Sequence, residues 1–147
     1  MKLIAMTAVL ASSMLGASWL YAADPVSIDV YRDPNCGCCS AWIEHLKENG
    51  FAVNDHLENN MGLIKQQHGV PRELASCHTG VIDGRFVEGH VPAADILRMQ
   101  NQPDLLGLAV PGMPVGSPGM EMGDRQDNYD VVAVEADGTQ TTFSNYP

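Results

Sequence analysis

The stretch VSIDVYRDPNCGCCSAWIEHLKEN, residues 26–49, decides the fold of this chain. Its first part, Val26 to Tyr31, alternates apolar and polar side chains and predicts a half-buried strand. Arg32 to Gly37 brings Asp, Pro, Asn and Gly together, which is typical of a loop. Ser40 to Asn49 carries large apolar residues at helical spacing and predicts a helix. The cysteine motif CGCC therefore falls between a strand and the helix that follows it.

The patterns further along the chain predict a mixed α/β domain. They predict a strand at Phe51 to Leu57, a helix at Met61 to Gln67, a hairpin at Thr79 to Glu88 around Asp83-Gly84, a helix at Pro92 to Gln100, and a C-terminal hairpin at Tyr129 to Phe143 around Asp137-Gly138. A strand-helix-strand start followed by an antiparallel pair and a covering helix is the thioredoxin arrangement. We expect a central mixed sheet with flanking helices. Pro103 to Asp127, with four prolines and five glycines, predicts a long irregular loop rich in Met, Gly and Pro.

The first 23 residues have the pattern of a secretory signal peptide. One basic residue precedes an apolar run from Leu3 to Leu20, and small residues at the end of the segment offer a cleavage site. An uncleaved membrane anchor is the alternative, since about 18 residues is near the shortest span of a bilayer. Residues 24–147 would then form one thioredoxin-like domain, and the brevity of the signal suits a bacterial periplasm.

The charge balance restricts the partners. Eight basic residues face 18 acidic ones, so the chain has a formal net charge of -10. Nucleic acid is excluded as a partner because no basic patch would neutralise its phosphates. No second apolar span follows the signal segment, so we expect no stable membrane insertion once that segment is removed.

The cysteine motif allows three interpretations. Cys36 and Cys39 have the spacing of a thiol-disulfide oxidoreductase. Cys38 argues against simple redox exchange, because a third thiol offers mispaired disulfides, whereas extra thiolates can bridge metal ions. Purely structural disulfides would need more partners than the one remaining cysteine, Cys77, unless two cysteines of the motif pair with each other.

Four residues outside the motif are candidate metal ligands. Cys77 precedes the predicted third strand, where a thioredoxin arrangement packs against the cysteine motif, and buried packing or a disulfide is its alternative role. His90 lies just before the last predicted helix. Met113 and Met120 lie in the irregular loop, where their alternative role is to cover an apolar patch. Cysteine, methionine and histidine together select copper, chiefly as Cu(I), although cysteine and histidine also bind zinc.

The chain resembles the CopG-like periplasmic copper-resistance proteins over about Val26 to Pro147. The resemblance rests on four motifs: Cys36-Gly37-Cys38-Cys39, Cys77-His78-Thr79, Gly89-His90-Val91-Pro92, and the loop from Val110-Pro111-Gly112-Met113-Pro114 through Gly119-Met120. It implies a thioredoxin-like fold, several copper ions held by clustered cysteines, and a role in copper tolerance with interconversion of Cu(I) and Cu(II) as a candidate activity. It also implies that the four cysteines are copper ligands, with His90 as a further one.

We therefore predict a periplasmic copper-binding protein that holds more than one Cu(I) ion. Its predicted ligands are Cys36, Cys38, Cys39, Cys77, His90, Met113 and Met120. Copper ions and other periplasmic copper-handling proteins are the predicted partners. Two activities stay open on the sequence, copper storage and copper oxidoreduction. The alternative function is a thiol-disulfide or arsenate-reductase-like oxidoreductase that uses Cys36 and Cys39.

Overall fold

The computed structural model of the protein describes residues 24–147. The predicted signal peptide, residues 1–23, lies outside the described residues. Within residues 24–147, no helix combines the length and the apolar character that crossing a bilayer requires.

Three helices and seven strands make up the described part of the chain. In chain order they are β1 Val26–Arg32, α1 Gly37–Glu48, β2 Phe51–Leu57, α2 Met61–Gln67, β3 His78–Ile82, β4 Arg85–Glu88, α3 Ala93–Met99, β5 Leu105–Ala109, β6 Tyr129–Glu135 and β7 Gln140–Tyr146, with one 3-10 turn at Arg72–Leu74 between α2 and β3. The predicted order of strand, helix, strand, helix, hairpin and helix is confirmed.

The seven strands form one mixed sheet in the order β2-β1-β3-β4-β5-β6-β7. The pairs β1–β2 and β4–β5 are parallel, and the remaining neighbours are antiparallel. The two hairpins predicted from Asp-Gly turns, β3–β4 and β6–β7, are both present. The predicted central mixed sheet with flanking helices is therefore confirmed.

One strand was missed in the irregular segment. The prediction of a continuous loop over Pro103 to Asp127 is wrong at its start, because Leu105–Ala109 forms β5, parallel to β4. Its sequence, LLGLA, does not alternate apolar and polar side chains, and its last three residues are all buried. Gly107 allows the close approach, because a side chain there would overlap the ring and carbonyl of Phe86.

Helix α1 is held against the sheet by its apolar face. Trp42 and Leu46 are completely buried there, and burial of side chains of this size stabilises the fold by roughly 1.5–3 kcal/mol each. The Trp42 indole N–H donates to the carbonyl of Val91 at 2.8 Å. Gly80 of β3 leaves room for the Trp42 ring, since an added Cβ would lie 3.3 Å from that ring and 2.9 Å from the Ile28 side chain. The packing fixes the start of α1, and with it the cysteine motif, over one end of the sheet.

Candidate metal centre

The cysteine motif begins helix α1. Cys36 is the N-cap residue and makes no side-chain capping hydrogen bond, and Cys39 is buried one turn into the helix. Cys36 and Cys39 are joined by a disulfide, with their Cα atoms 5.4 Å apart. The sulfur atom of the Cys38 thiol lies 3.6 Å from that of Cys36. The site is thus described in its oxidised state.

The fourth cysteine reaches this motif from the residue before β3. Cys77 and Cys38 are the free cysteines, and each is half-buried. The sulfur atoms of Cys36, Cys38, Cys39 and Cys77 all lie within 4.8 Å of one another. The antiparallel pairing of β1 with β3 produces this convergence, because the start of β3 then lies at the end of β1 from which the motif follows. The predicted convergence of four cysteines is confirmed as geometry.

Cys77 also belongs to a second group of candidate ligands. Its sulfur lies 3.2 Å from Nδ1 of His78 and 3.2 Å from Nε2 of His90. Both histidines are completely buried. The two imidazole rings meet edge to face, with their centroids 4.9 Å apart. The cluster therefore has an all-sulfur side and a sulfur-imidazole side, and Cys77 belongs to both.

The orientation of His90 is set by the irregular loop. Its Nδ1 lies 2.8 Å from the carbonyl oxygen of Pro118, which can only accept a hydrogen bond. Nδ1 must therefore carry the proton, and Nε2 presents its lone pair to Cys77. A hydrogen bond from the second nitrogen to a backbone carbonyl is the usual way in which a metal-binding histidine is oriented.

Burial favours the neutral form of both imidazoles. It lowers the pKa of His78 well below its usual value, and the neighbouring His90 and Lys65 lower it further. Burial also lowers the pKa of His90, although the hydrogen bond to the Pro118 carbonyl acts in the opposite direction and raises it. The pKa of the Cys77 thiol is raised to about 11, first by burial and then by Cys38. Without a cation, the site thus disfavours charge on any of these groups.

The loop between β5 and β6 packs directly on the start of α1. Gly119 has a φ of 84°, and an added Cβ would lie 2.7 Å from the backbone nitrogen of Trp42 and 3.1 Å from the carbonyl oxygen of Cys38. The hydroxyl of Ser76 ties the loop down elsewhere, since it donates to the carbonyl of Gly112 at 2.5 Å. Together with the contact of Pro118 with His90, these contacts hold the loop, residues 110–128, against the cysteine cluster, and we call it the cover.

The two candidate methionines lie in this cover and differ in exposure. Met113 is 55% exposed, whereas Met120 is half-buried. The backbone N–H of Met120 donates to Ser117 at 2.8 Å, and its carbonyl accepts from Gly116 at 3.0 Å. Met120 therefore sits in a tight turn next to Gly119, which is the point of contact with α1.

A buried ion pair supports the segment that carries Cys77. Glu88 is completely buried and accepts hydrogen bonds from Lys65 Nζ at 2.5 Å, Thr79 Oγ1 at 2.7 Å and the backbone N–H of Ser76 at 2.6 Å. The carboxylate thus ties α2, the approach to β3 and the end of β4 together beneath the site. A buried charge with this many partners is satisfied, but it is costly to disturb.

Sequence reasoning missed two residues of the site. The first is His78: adjacent residues of an extended chain usually point apart, yet its Nδ1 lies 3.2 Å from the Cys77 sulfur. Pro118 acts through its backbone oxygen, for which the sequence contains no signal. His45 of α1 lies outside both groups of candidate ligands and accepts a hydrogen bond from the backbone N–H of Ala93 at 3.1 Å.

A mixed sheet with four cysteines gathered at a helix start defines a cysteine-rich metal-binding class of protein. Comparison with known proteins identifies the family within this class. Two solved structures described as copper resistance protein CopG, form 2 and form 1, superpose on the chain with TM-scores of 0.82 and 0.81. They are 61% and 62% identical to it, over 84% of this chain and 99% and 98% of theirs. A family model described as "Protein of unknown function, DUF411" matches residues 74–120. No curated protein sequence matches the chain. The chain belongs to the CopG copper-resistance family.

Proposed function

We propose that the protein is a periplasmic copper-binding protein of copper resistance, which holds more than one Cu(I) ion. Cys36, Cys38, Cys39 and Cys77 are its principal ligands, and His90 is a further one. The observation that carries the proposal is the convergence of four sulfur atoms within 4.8 Å of one another. Thiolates are soft ligands that select Cu(I), and bridging sulfurs let four of them hold several ions.

Loading of all four cysteines requires reduction of the Cys36–Cys39 disulfide. Opening it consumes two electrons and two protons and yields two thiols. In the opposite direction, the dithiol can reduce two Cu(II) ions to Cu(I), with formation of the disulfide and release of two protons. This balance is the basis on which we propose interconversion of Cu(I) and Cu(II), with copper as its substrate.

We assign auxiliary roles to the two methionines of the cover. Met120, half-buried beside Gly119, is proposed as a thioether ligand at the edge of the cluster. Met113, more than half exposed, is proposed as a ligand that receives or releases copper at the surface. Thioether sulfur suits both roles, because it binds Cu(I) and is not lost to disulfide formation.

We assign the fold to the thioredoxin-like class, with residues 24–147 as one domain that follows a signal peptide. The parallel β1–β2 unit around α1, followed by the antiparallel β3–β4 pair and α3, supports this assignment. Cys36 and Cys39 lie at the start of α1, the position of the redox motif in that arrangement. Other periplasmic copper-handling proteins are the proposed donors and acceptors of copper.

A second function, thiol-disulfide or arsenate-reductase-like chemistry at Cys36 and Cys39, is favoured by one observation. The two residues form a disulfide at a helix start, where unpaired N–H groups stabilise an attacking thiolate. The nearby thiol of Cys38 weighs against it, because its sulfur is 3.6 Å from Cys36 and can compete for the disulfide.

Titration of the reduced protein with Cu(I), against a competing chelator and with metal counted by elemental analysis, tests the proposal. We expect more than one Cu(I) per chain, and loss of most of it in Cys38→Ser. His68→Gln, which changes a residue outside both groups of candidate ligands, is the matched control and should bind as the unmodified protein does. Reduced protein that takes up no copper, with oxidoreductase activity intact in Cys38→Ser, would establish the redox enzyme instead.

A further inference from the structure

We propose that a cavity beside helix α2, outside the cysteine cluster, binds a small organic molecule that carries carboxylate groups. The inference goes beyond the proposed copper function and does not depend on it. The cavity measures about 500 Å³. Its lining comes from α2 and from the segment that follows α2 through the 3-10 turn: Gly62, Lys65, Gln66, Gly69, Val70, Arg72 and Ala75. None of these residues belongs to either group of candidate metal ligands.

The size of the cavity is the first reason for an organic ligand. Pockets that bind small molecules are commonly about 300–1,000 Å³ in volume. An inorganic anion would fill only a small part of this cavity, since one water takes up about 30 Å³ in the liquid. Val70 and Ala75 add apolar side chains to the lining, against which the body of an organic molecule can pack.

The charge of the lining is the second reason. It contains two cationic side chains, Lys65 and Arg72, and no carboxylate. The chain as a whole has a formal net charge of -10, so the overall field of the protein repels anions. The positive lining is therefore a local arrangement that opposes the overall charge, and it selects an anionic ligand.

Arg72 is the cation whose donors are available. Residues 24–147 contain seven lysine and arginine side chains, the eight of the chain less Lys2. Six of them lie within 3.6 Å of a carboxylate oxygen, and Arg72 is the one in these residues without such a partner. The adjacent carboxylate, Glu73, instead accepts a hydrogen bond from Gln140 Nε2 at 2.7 Å. A guanidinium presents five N–H donors in a planar fork that matches a carboxylate.

Lys65 supplies a second cation that is held in place. Its ammonium group donates to the carboxylate of Glu88 and to Thr79 Oγ1. An ammonium group has three donors, so one N–H of Lys65 remains for a ligand. The side chain is only 14% exposed, and its position is therefore fixed by packing before any ligand binds. A ligand carboxylate can thus meet the fork of Arg72 and the remaining N–H of Lys65.

Two glycines leave the lining open. Gly62 lies on the same face of α2 as Lys65 and Gln66, since residues three and four apart are neighbours on a helix surface. Gly69 has a φ of 72°, which accounts for the absence of a side chain there. Gly62 has no such reason, because an added Cβ would meet only Asn60 Oδ1, at an ordinary 3.6 Å. A glycine within a helix costs stability relative to alanine. We attribute Gly62 to the space that a ligand needs.

Titration of the whole chain, oxidised and free of metal, with succinate at low ionic strength tests this site. Succinate carries a carboxylate at each end of a short aliphatic body. In proton–nitrogen correlation spectra we expect saturable shifts that are concentrated at the backbone amides of Gly62, Gln66 and Gly69. Succinamide, which has the same body without charge, should cause no such shifts.

Single substitutions assign the site. Arg72→Gln should weaken succinate binding at least about 10-fold, because hydrogen bonds to a charged group are lost. The control Arg125→Gln removes an exposed arginine of the cover and should bind succinate as the unmodified protein does. Gly62→Leu should fill the cavity and abolish the shifts, while leucine favours the helix more than glycine does. An unchanged or raised thermal unfolding midpoint verifies the fold of Gly62→Leu, and Arg72→Gln tests the site without any change in α2.

The outcomes decide the site and the class of its ligand. Succinate titrations without saturable shifts, or with shifts that persist unchanged in Arg72→Gln, overturn the proposal. Tighter binding of inorganic phosphate than of succinate at the same amides overturns the assignment to an organic anion. No copper is present in these titrations, so their failure leaves the proposed copper function untouched. That function is tested separately by the uptake of Cu(I) by the reduced protein.

Discussion

The cover packs on the cysteine helix at Gly119 without room for a side chain. Gly119 has a φ of 84°, and a Cβ at this position would meet the backbone nitrogen of Trp42 at 2.7 Å and the carbonyl oxygen of Cys38 at 3.1 Å. Neither atom can rotate away, because both belong to the backbone of α1. Gly119→Ala is therefore the substitution that separates the cover from the helix with the smallest chemical change.

The expected loss has two parts. A left-handed conformation costs an L-residue about 1–2 kcal/mol. Overpacking against a rigid neighbour adds about 1–3 kcal/mol, so the total is about 2–5 kcal/mol. Gly138→Ala isolates the first part, because Gly138 has a φ of 85° and no atom within 4 Å of an added Cβ.

Denaturant unfolding of the oxidised protein measures both variants. We expect Gly119→Ala to lose more stability than Gly138→Ala by about 1–3 kcal/mol. In the reduced protein, Gly119→Ala should also weaken Cu(I) binding, since displacement of the loop moves the Pro118 oxygen that orients the proposed ligand His90. Equal losses in the two alanine variants, with copper binding unchanged in both, would refute the idea that the cover is seated on α1 through Gly119.

Two further predictions concern buried ionisable groups. Glu88→Gln should destabilise the fold by about 3 kcal/mol in urea unfolding, because it leaves Lys65 without its buried partner. The control Glu44→Gln removes an exposed ion pair of α1 and should cost less than about 1 kcal/mol. Similar losses in the two variants would contradict a special role for the buried pair. Since the pKa values of His78 and His90 are lowered in the folded protein, protons bind the unfolded chain preferentially, and stability present above about pH 6.5 should fall as the pH drops below it. Unfolding midpoints at about pH 7.5 and about pH 5 check this, and greater stability at the lower pH would contradict it.

Local patterns were sufficient for most of the fold. The alternation of Val26 to Tyr31 and the helical spacing after Cys39 predicted β1 and α1, and the Asp-Gly turns predicted both hairpins. These signals are readable because each depends on residues close in sequence. β5 was missed for the opposite reason, since Leu105–Ala109 is a strand only because β4 and β6 pair with it.

The residues of the candidate site also fall into those that local sequence patterns indicated and those that depend on the tertiary structure. Residue type and spacing indicated Cys36, Cys38 and Cys39 as soft ligands, and position in the predicted fold indicated Cys77 and His90. The sequence contains no sign of the direction in which His78 points. Its Nδ1 meets the Cys77 sulfur because β3 is buried on both sides and leaves the ring no route to solvent.

The sequence by itself thus determined the chemistry of this protein, a set of soft ligands at a helix start, because side-chain softness and local periodicity are properties of neighbouring residues. Only the tertiary structure decided the geometry. The pairing of β1 with β3 brings Cys77 to the motif, and the seating of Gly119 on α1 brings the Pro118 oxygen to His90. Both contacts join segments that are distant along the chain, and their formation depends on the packing of the whole domain.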